Sequence, residues 1–330
     1  MENIQTKIEK NRQMKKVLLL WYTVGGNFGD VLIYKTVSEY CNNSNILCDF
    51  IDVGRPCSEI MQKANKYDFL LFAGGGIIER YVPNVIRYFK EDFDMLKVPY
   101  GVIGLSVGRF DYSRYSGEIA FWVENAKFFF TRDAYSAKRL NSICGKKIVV
   151  DSTDVVWANE RIYFNKIKME KNIGINVRDV PYLDIQTDID WKKLECICKK
   201  ERISCFIPDE SGIELKGLEK CFYEEQKVFD QIVKCEFLVA MRYHVILVAA
   251  ANGIPAIPIA YCNKIKELSS QLGLEKYVLN TNEIDLLPAK IELLRKNLLV
   301  EQEQLYANTR KMKKQAKKML EKILETINNA

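Results

Sequence analysis

Residues 235–264 read CEFLVAMRYHVILVAAANGIPAIPIAYCNK. Short apolar runs at 237–240 and 254–260 flank a longer apolar run at 245–252, which ends at Gly253. Short runs of branched residues on either side of a helix-length apolar segment are typical of two buried strands joined by a buried helix. The stretch therefore predicts a β-α-β unit, and with it a parallel sheet covered by helices.

Basic side chains follow both strands of this unit. Arg242 and His244 come after the first strand, and Lys264 comes after the second. Because a β-α-β crossover is right-handed and brings the two strand ends together, we expect the three side chains to face one anion. An imidazole beside a bound phosphate or carboxylate is suited to proton transfer, so His244 is the candidate acid. The alternatives are a buried structural imidazole at His244 and a solvated lysine at the start of a helix at Lys264.

The alternation of short and long apolar runs extends over most of the chain. Further strand-like runs lie at 17–22, 46–51, 69–73, 102–105, 128–131, 147–150, 173–177 and 203–207. Helix-like runs lie between them, for example at 31–41 and 77–89. Such alternation is typical of parallel sheets with helices on both faces. The predicted fold class is therefore α/β, with two Rossmann-like domains whose parallel sheets face a cleft.

The length of the chain favours two domains. At 330 residues it exceeds the size at which a single hydrophobic core usually stops growing. Residues 154–171 mix tryptophan, asparagine and charges without a clear period, so we expect the junction there. The prediction is an N-terminal domain at 1–160 and a C-terminal domain at 161–330. Ligands of open α/β sheets bind beyond the carboxyl ends of the strands, so the cleft between the domains is the expected site.

The composition is that of a folded protein without a membrane span. The chain is 48% hydrophobic and 28% charged, and no run approaches the roughly 20 apolar residues that a bilayer requires. Its ten cysteines are scattered without a C-x-x-C pair, and it has one histidine, so we expect reduced thiols and no metal site. The polar N-terminal segment does not resemble a signal peptide, which favours a cytoplasmic location.

A cluster of basic residues lies near the C-terminus. Its members are Arg310, Lys311, Lys313, Lys314, Lys317 and Lys318. Regularly spaced leucine, methionine and isoleucine accompany them, which predicts a basic amphipathic helix packed across the domains. A peripheral contact with the inner face of the membrane is the alternative. The net charge of +6 is too small to indicate nucleic acid binding.

Glycine-rich turns follow two strands of the predicted N-terminal domain. They are Gly25-Gly26-Asn27-Phe28-Gly29-Asp30 after the first strand and Gly74-Gly75-Gly76 after the third. Neither is a G-x-G-x-x-G fingerprint or a P-loop, so neither indicates NAD or ATP. Such turns allow a sugar or an anion to approach the main chain closely. The alternatives are a tight turn ahead of a helix with Asp30 in its first turn, and close packing of a strand on a helix.

Arg132 follows the strand-like run at 128–131. A lone arginine at such a position most often forms an exposed ion pair. Because other cations are expected at the same edge, Arg132 is included in the candidate anion site.

Five motifs stand in a distinctive order along the chain. They are Gly26-Asn27-Phe28-Gly29-Asp30, Gly74-Gly75-Gly76, Gly104-Leu105-Ser106-Val107-Gly108, Thr131-Arg132-Asp133-Ala134-Tyr135-Ser136, and Met241-Arg242-Tyr243-His244 continuing through Gly253-Ile254-Pro255 to Tyr261-Cys262-Asn263-Lys264. From residue 17 to residue 273 this order resembles the polysaccharide pyruvyl transferase family. The resemblance implies the two-domain architecture of B-type glycosyltransferases. It also implies transfer of pyruvate, as a ketal, from phosphoenolpyruvate to two hydroxyls of one sugar, with no metal and no cofactor.

The resemblance also implies roles for individual residues. Arg132, Arg242 and Lys264 match basic residues that hold the phosphate and carboxylate of the donor, and His244 matches the proton donor. The acceptor side would be formed by Gly26, Asn27, Gly29, Gly74, Gly75 and Gly76. Asp30 is the candidate general base, chosen from its position alone. The partners are then phosphoenolpyruvate and a saccharide, free or lipid-linked.

Three residues depart from the family's usual pattern. Leu105 and Arg109 stand where glutamine and proline are common, and Ser152 stands where the proline of an Asp-Pro pair is usual. These departures concern the acceptor, whose identity the sequence leaves open together with the oligomeric state. Two rival interpretations are a glycosyltransferase or epimerase that uses a nucleotide-sugar, and a non-catalytic relative that binds saccharide or phosphate.

Overall fold

The computed structural model describes residues 14–21, 27–78, 82–109, 111–164, 172–178, 188–207 and 224–330. These residues form two parallel β-sheets covered by helices. The α/β fold class predicted from the alternation of apolar runs is therefore confirmed. None of the described helices combines the length and the apolar character that a membrane span requires.

The first sheet has six strands in the order β2-β1-β3-β4-β5-β6. The strands are β1 (Lys16–Trp21), β2 (Leu47–Asp52), β3 (Phe69–Ile78), β4 (Tyr100–Val107), β5 (Phe129–Thr131) and β6 (Val150–Asp151). The connecting helices are α1 (Phe28–Asn43), α2 (Cys57–Ala64), α3 (Asn84–Arg87), α4 (Ser116–Glu124) and α5 (Ala134–Cys144). Both faces of the sheet are covered because successive side chains alternate. Val17 and Leu19 pack into the core that contains α1, while Leu18 and Leu20 pack into the core on the opposite face.

The second sheet has five strands in the order β11-β10-β9-β7-β8. The strands are β7 (Asn172–Asn176), β8 (Ile203–Phe206), β9 (Cys235–Ala240), β10 (Ala256–Ala260) and β11 (Leu279–Asn280). The helices are α6 (Trp191–Lys200), α7 (Glu225–Ile232), α8 (Tyr243–Ala251), α9 (Asn263–Leu272) and α10 (Leu287–Asn328). Every residue of α8 is buried, as its mostly apolar sequence favours. The β-α-β unit predicted from residues 235–264 is thus β9-α8-β10.

Each sheet has a point at which the chain changes direction across it. In the first sheet β1 lies between β2 and β3, and in the second β7 lies between β8 and β9. In the first sheet the connections that leave β1 and β3 run to opposite sides, and in the second sheet those that leave β7 and β9 do so. Such a divergence opens a crevice at the carboxyl ends of the two strands. These two crevices are the positions at which this architecture binds ligands.

One predicted helix is wrong. Residues 77–89 were expected to be helical, but β3 continues to Ile78, and the helix that follows, α3, spans only Asn84–Arg87. Val82, Val85 and Phe89 are buried at helical spacing, which explains the expectation. Pro83 interrupts the pattern, because proline cannot continue a helix from the preceding turn, and it stands immediately before α3. Gly74-Gly75-Gly76 therefore lies within a strand and not in a turn ahead of a helix.

The segment between the sheets is buried. Residues 155–158 form a 3₁₀ turn whose side chains are almost fully inaccessible, and α10 packs over it. Lys313 and Lys317 of α10 both pair with Glu160, and the Ser152 hydroxyl lies 3.1 Å from Met319 Sδ. The C-terminal helix thus begins on the second sheet and ends against the first.

Direct contacts also join α1 to the second half of the chain. The rings of Phe28 and Phe229 meet edge to face with their centres 5.5 Å apart. Lys35 pairs with Glu225 at the start of α7. The N-terminal end of α1 is therefore held against the second sheet.

Candidate functional site

The direction change in the second sheet brings two arginines together in the fold. Arg178 follows β7 and Arg242 follows the neighbouring strand β9. Asn176 links the two strand ends, because its Oδ1 accepts a hydrogen bond of 3.2 Å from the backbone N–H of Arg242, and its Nδ2 donates to the Ile207 carbonyl at 3.1 Å. Both arginines are largely buried. A crevice that holds buried guanidinium groups is suited to an acidic ligand.

Two helices point their N-termini at the same edge of the sheet. Arg242 is the N-cap residue of α8, Cys262 is that of α9, and neither makes a side-chain capping hydrogen bond. Lys264 lies in the first turn of α9 and is half-buried. N-terminal amides and the helix dipole favour an anion at such positions. The strand ends, the helix ends and the basic side chains therefore all favour negative charge at one edge.

His244 lies between the two halves of the molecule. It occupies the second position of α8, and its ring packs against Gly29 in the first turn of α1. A β-carbon built on Gly29 would fall 1.8 Å from His244 Nδ1, far inside any permitted contact. Glycine is therefore required at position 29 by the close approach of the ring. Backbone conformation is not the reason, because Gly29 lacks the positive φ found at Gly74 and Gly75.

A buried carboxylate holds the opposite edge of the same ring. Asp154 is fully inaccessible, and its Oδ2 lies 3.4 Å from His244 Nε2 and 3.5 Å from Arg132 Nη1. Its Oδ1 accepts a 2.9 Å hydrogen bond from the backbone N–H of Val156. Among the described residues His244 Nε2 makes no hydrogen bond, so its contact with Asp154 is electrostatic in this arrangement.

The charge of Asp154 is maintained by its neighbours. Burial alone would raise the pKa of this carboxyl, but His244, Arg132 and the Val156 N–H together hold it below its usual value. These neighbours favour the ionised form of Asp154. A fixed negative charge beside an imidazole orients the ring.

Arg132 is deeply buried, with 2% of its surface exposed. Its Nη2 donates a 2.6 Å hydrogen bond to Ser106 Oγ, and its guanidinium stacks on the ring of Tyr243 at 4.2 Å. The alternative of an exposed ion pair does not apply, because Arg132 and its partner Asp154 are both buried. A role for Arg132 as a direct donor ligand stays a prediction.

The glycine motifs of the first half meet Asp30. The Oδ1 of Asp30 lies 3.3 Å from the position that a β-carbon on Gly75 would take, and Gly74 and Gly75 both have positive φ. Asn27 caps α1 by accepting a 2.9 Å hydrogen bond from the Gly29 N–H. Asp30 belongs to the first turn of α1, and His244 of the second half packs against Gly29 in the same turn. Gly26 lies outside the described residues.

Arg109 connects the two halves at the sheet edges. Its Nη2 donates a 3.0 Å hydrogen bond to Asn263 Oδ1, at the start of α9. One turn further along α9, burial raises the pKa of Glu267, and Asp133 and Asp151 raise it further. Arg109, which departs from the family pattern, thus forms a hydrogen bond between the two halves at the residue before Lys264.

Asp154 and Arg178 were missed by the sequence analysis. Asp154 stands in a stretch without helical or strand periodicity, so no strand end pointed to it. Arg178 could have been found, because it follows a predicted strand in the same way as Arg132 and Arg242. The signal is an arginine that directly follows a buried strand.

Solved structures of nucleotide-sugar enzymes are similar in fold. The UDP-GlcNAc 2-epimerase from Neisseria meningitidis bound to UDP-GlcNAc has a TM-score of 0.57 at 12% identity, covering 94% of this chain and 100% of that chain. The Methanocaldococcus jannaschii UDP-GlcNAc 2-epimerase in complex with UDP-GlcNAc and UDP has a TM-score of 0.55 at 10% identity, over 84% and 91%. An α-glucosyltransferase in complex with UDP and a 13-mer DNA has a TM-score of 0.53 at 11% identity, over 96% and 100%. These similarities support the glycosyltransferase B-type architecture.

A comparison with curated protein sequences gives no significant match. The family model described as polysaccharide pyruvyl transferase matches residues 27–263. The match runs from the cap of α1 to the start of α9, so it includes Arg132, Asp154, Arg178, Arg242 and His244 and ends one residue before Lys264. This chain belongs to the polysaccharide pyruvyl transferase family.

Proposed function

We propose that this protein transfers the pyruvyl group of phosphoenolpyruvate to two hydroxyls of one sugar, in a polysaccharide or a glycan precursor, and releases phosphate. The observation that carries the proposal is the convergence of Arg178, Arg242, Lys264 and two helix N-termini on one sheet edge, beside the single imidazole of the chain. Phosphoenolpyruvate carries a phosphate and a carboxylate, so it matches an edge with several cations. Residues 161–330 would form the donor side and residues 1–160 the acceptor side.

The donor is held by charge and by backbone amides. A guanidinium binds phosphate or carboxylate through two parallel hydrogen bonds, which fixes orientation as well as position. Arg178 and Arg242 follow adjacent strands, so one can bind the phosphate of the donor and the other its carboxylate. The first-turn amides of α8 and α9, with Lys264, add a positive field. Neither a metal nor a cofactor is needed for this binding mode.

His244 would protonate the methylene carbon of the donor. The proton adds to that carbon, and the adjacent carbon that bears the phosphate oxygen becomes cationic. A sugar hydroxyl adds to this carbon and gives its proton to Asp30. The second hydroxyl then displaces phosphate and closes the ketal; its proton returns to His244, and the proton held by Asp30 leaves with the phosphate. Each step uses only groups supplied by phosphoenolpyruvate, the sugar, His244 and Asp30.

Asp154 and Arg132 would act through His244. Asp154 lies beside Nε2 and keeps the imidazole oriented, and Arg132 with Ser106 keeps Asp154 in place. Gly29 leaves room for the ring at the end of α1. The acid is thus held by residues of both halves, so donor and acceptor must meet at their junction.

The test is a product analysis with phosphoenolpyruvate and a panel of cell-surface oligosaccharides, some free and some lipid-linked. The expected result is release of inorganic phosphate together with a sugar whose mass has increased by one pyruvyl ketal. We expect the protein to act in the cytoplasm, where phosphoenolpyruvate is available. Consumption of a UDP-sugar in place of phosphoenolpyruvate would favour an epimerase or glycosyltransferase. Binding without turnover across all acceptors would favour a non-catalytic relative.

A further inference from the structure

The outward face of α10 exposes adjacent apolar side chains. Leu299 is 75% exposed and Val300 is 62% exposed, although the opposite face of the helix is buried. Single exposed apolar residues are common and need no explanation. Two adjacent exposed apolar residues on a helix whose other face is buried can mark an interaction surface, depending on the residues around them.

Cations occupy the same outward face further along the helix. Arg310, Lys311, Lys314 and Lys318 are all exposed. Lys311 and Lys318 follow Val300 by about three and about five helical turns, which sets them on its side of the helix, within about 27 Å along the axis. The apolar pair and the cations therefore form one surface, which we call the α10 face.

The cations of the α10 face lack acidic partners among the described residues. Lys313 and Lys317 lie on a different face of α10, and both pair with Glu160. Glu303 is the exposed carboxylate that lies between the apolar pair and the cations, and Glu321 and Glu325 lie beyond them. The face keeps a net positive charge over its central part.

We infer that the α10 face docks on an anionic lipid bilayer. An amphipathic helix that lies in the bilayer interface buries apolar residues among the acyl chains while its cations meet anionic headgroups. A second copy of this chain would bring cations toward cations, so charge does not favour a dimer through this face. A nucleic acid would satisfy the cations but leave Leu299 and Val300 exposed. The inference does not depend on the proposed reaction, although it would bring the protein to a lipid-linked acceptor.

The experiment measures binding of the whole chain to vesicles of phosphatidylcholine, with and without phosphatidylglycerol. One variant carries Leu299→Glu and Val300→Glu, and a second carries Lys311→Gln, Lys314→Gln and Lys318→Gln. The matched control carries Lys192→Gln, Lys199→Gln and Lys200→Gln, which removes the same charge from exposed positions on α6.

The wild type and the control are expected to bind the anionic vesicles, and binding should fall as salt is added. Loss of three cations from the α10 face should weaken binding on the order of a hundredfold, because each contributes about fivefold near an anionic surface. All altered positions are exposed, so thermal unfolding should stay unchanged.

Three results would overturn the inference: equal binding to neutral and anionic vesicles, equal weakening in the control, or no vesicle binding by the wild type. Sedimentation that reveals a dimer dissociated by the Leu299→Glu and Val300→Glu variant would assign the face to a second copy instead. Ketal transfer to a soluble sugar is measured separately, so failure of docking and failure of the proposed reaction are distinguishable.

Discussion

The imidazole of His244 occupies the space that a side chain at position 29 would need. The two residues belong to opposite halves of the molecule, and a β-carbon on Gly29 would lie 1.8 Å from His244 Nδ1. The end of α1 is fixed against the second sheet by Phe28 and Lys35 as well. The glycine motif of the first half therefore accommodates the candidate acid supplied by the second.

Gly29→Ala should displace the imidazole. Gly29 is helical with an ordinary φ, and alanine is favoured over glycine in helices by about 1 kcal/mol, so the cost is steric and not conformational. We expect turnover to fall roughly a hundredfold, as small misplacements of catalytic groups cause, and the free energy of unfolding to fall by about 1–3 kcal/mol, the usual cost of overpacking a buried contact. The matched control is Gly117→Ala in the first turn of α4, where an added β-carbon would meet no atom within 4 Å beyond its chain neighbours and its own helix backbone. Equal activity in both variants would mean that the position of His244 is not critical.

His244→Ala should lower turnover roughly a hundredfold or more, the usual contribution of positioned proton transfer. Binding of phosphoenolpyruvate, measured separately, should change much less, because the arginines and helix ends remain. Asp30→Asn should also suppress turnover if Asp30 is the base. Near-normal turnover in either variant would remove that residue from the mechanism.

Asp154→Asn should reveal a stability that depends on pH. The pKa of Asp154 is held below its usual value of 3.8, so the carboxylate stabilises the fold above that pH and the contribution is lost as pH falls through the lower, folded-state value. Near neutral pH the variant should lose roughly 3 kcal/mol, since Arg132 would keep a buried charge without its partner. Urea unfolding from pH 6 to pH 3 measures this. The difference from the wild type should shrink in acid, and a difference that stays constant would contradict the assignment.

Arg178→Ala and Arg242→Ala should each weaken binding of phosphoenolpyruvate by about tenfold to a hundredfold, the range for hydrogen bonds to charged groups. A control is Arg55→Ala, which removes an arginine from an exposed pair with Glu59. Calorimetry with phosphoenolpyruvate measures the change. If Arg178→Ala binds as the wild type does, the donor does not occupy the crevice between β7 and β9.

The sheets were predictable because their strands are continuous apolar runs between turn residues. The order of the strands within each sheet was not predictable, because it depends on which strands pair with each other and not on the sequence of any single strand. At residues 77–89 the apolar spacing suggests a helix, but Pro83 limits it to Asn84–Arg87. The split into domains at 160 and 161 stays a prediction.

The candidate site was predictable where charged residues follow strands, as at Arg132, Arg242 and His244. Asp154 could not be predicted, because its partners Arg132 and His244 come from different halves and meet only in the folded chain. The contact of Gly29 with His244 could not be predicted either, because these two residues also come from different halves of the chain. Sequence patterns report local periodicity, whereas this site is built by packing between two sheets.

The most direct measurement compares phosphoenolpyruvate with UDP-GlcNAc as ligands of the wild-type protein by calorimetry. We expect phosphoenolpyruvate to bind, inorganic phosphate to compete with it, and UDP-GlcNAc to give no heat. Binding of UDP-GlcNAc without any binding of phosphoenolpyruvate would contradict the proposal that the basic edge of the second sheet holds a small, doubly acidic donor.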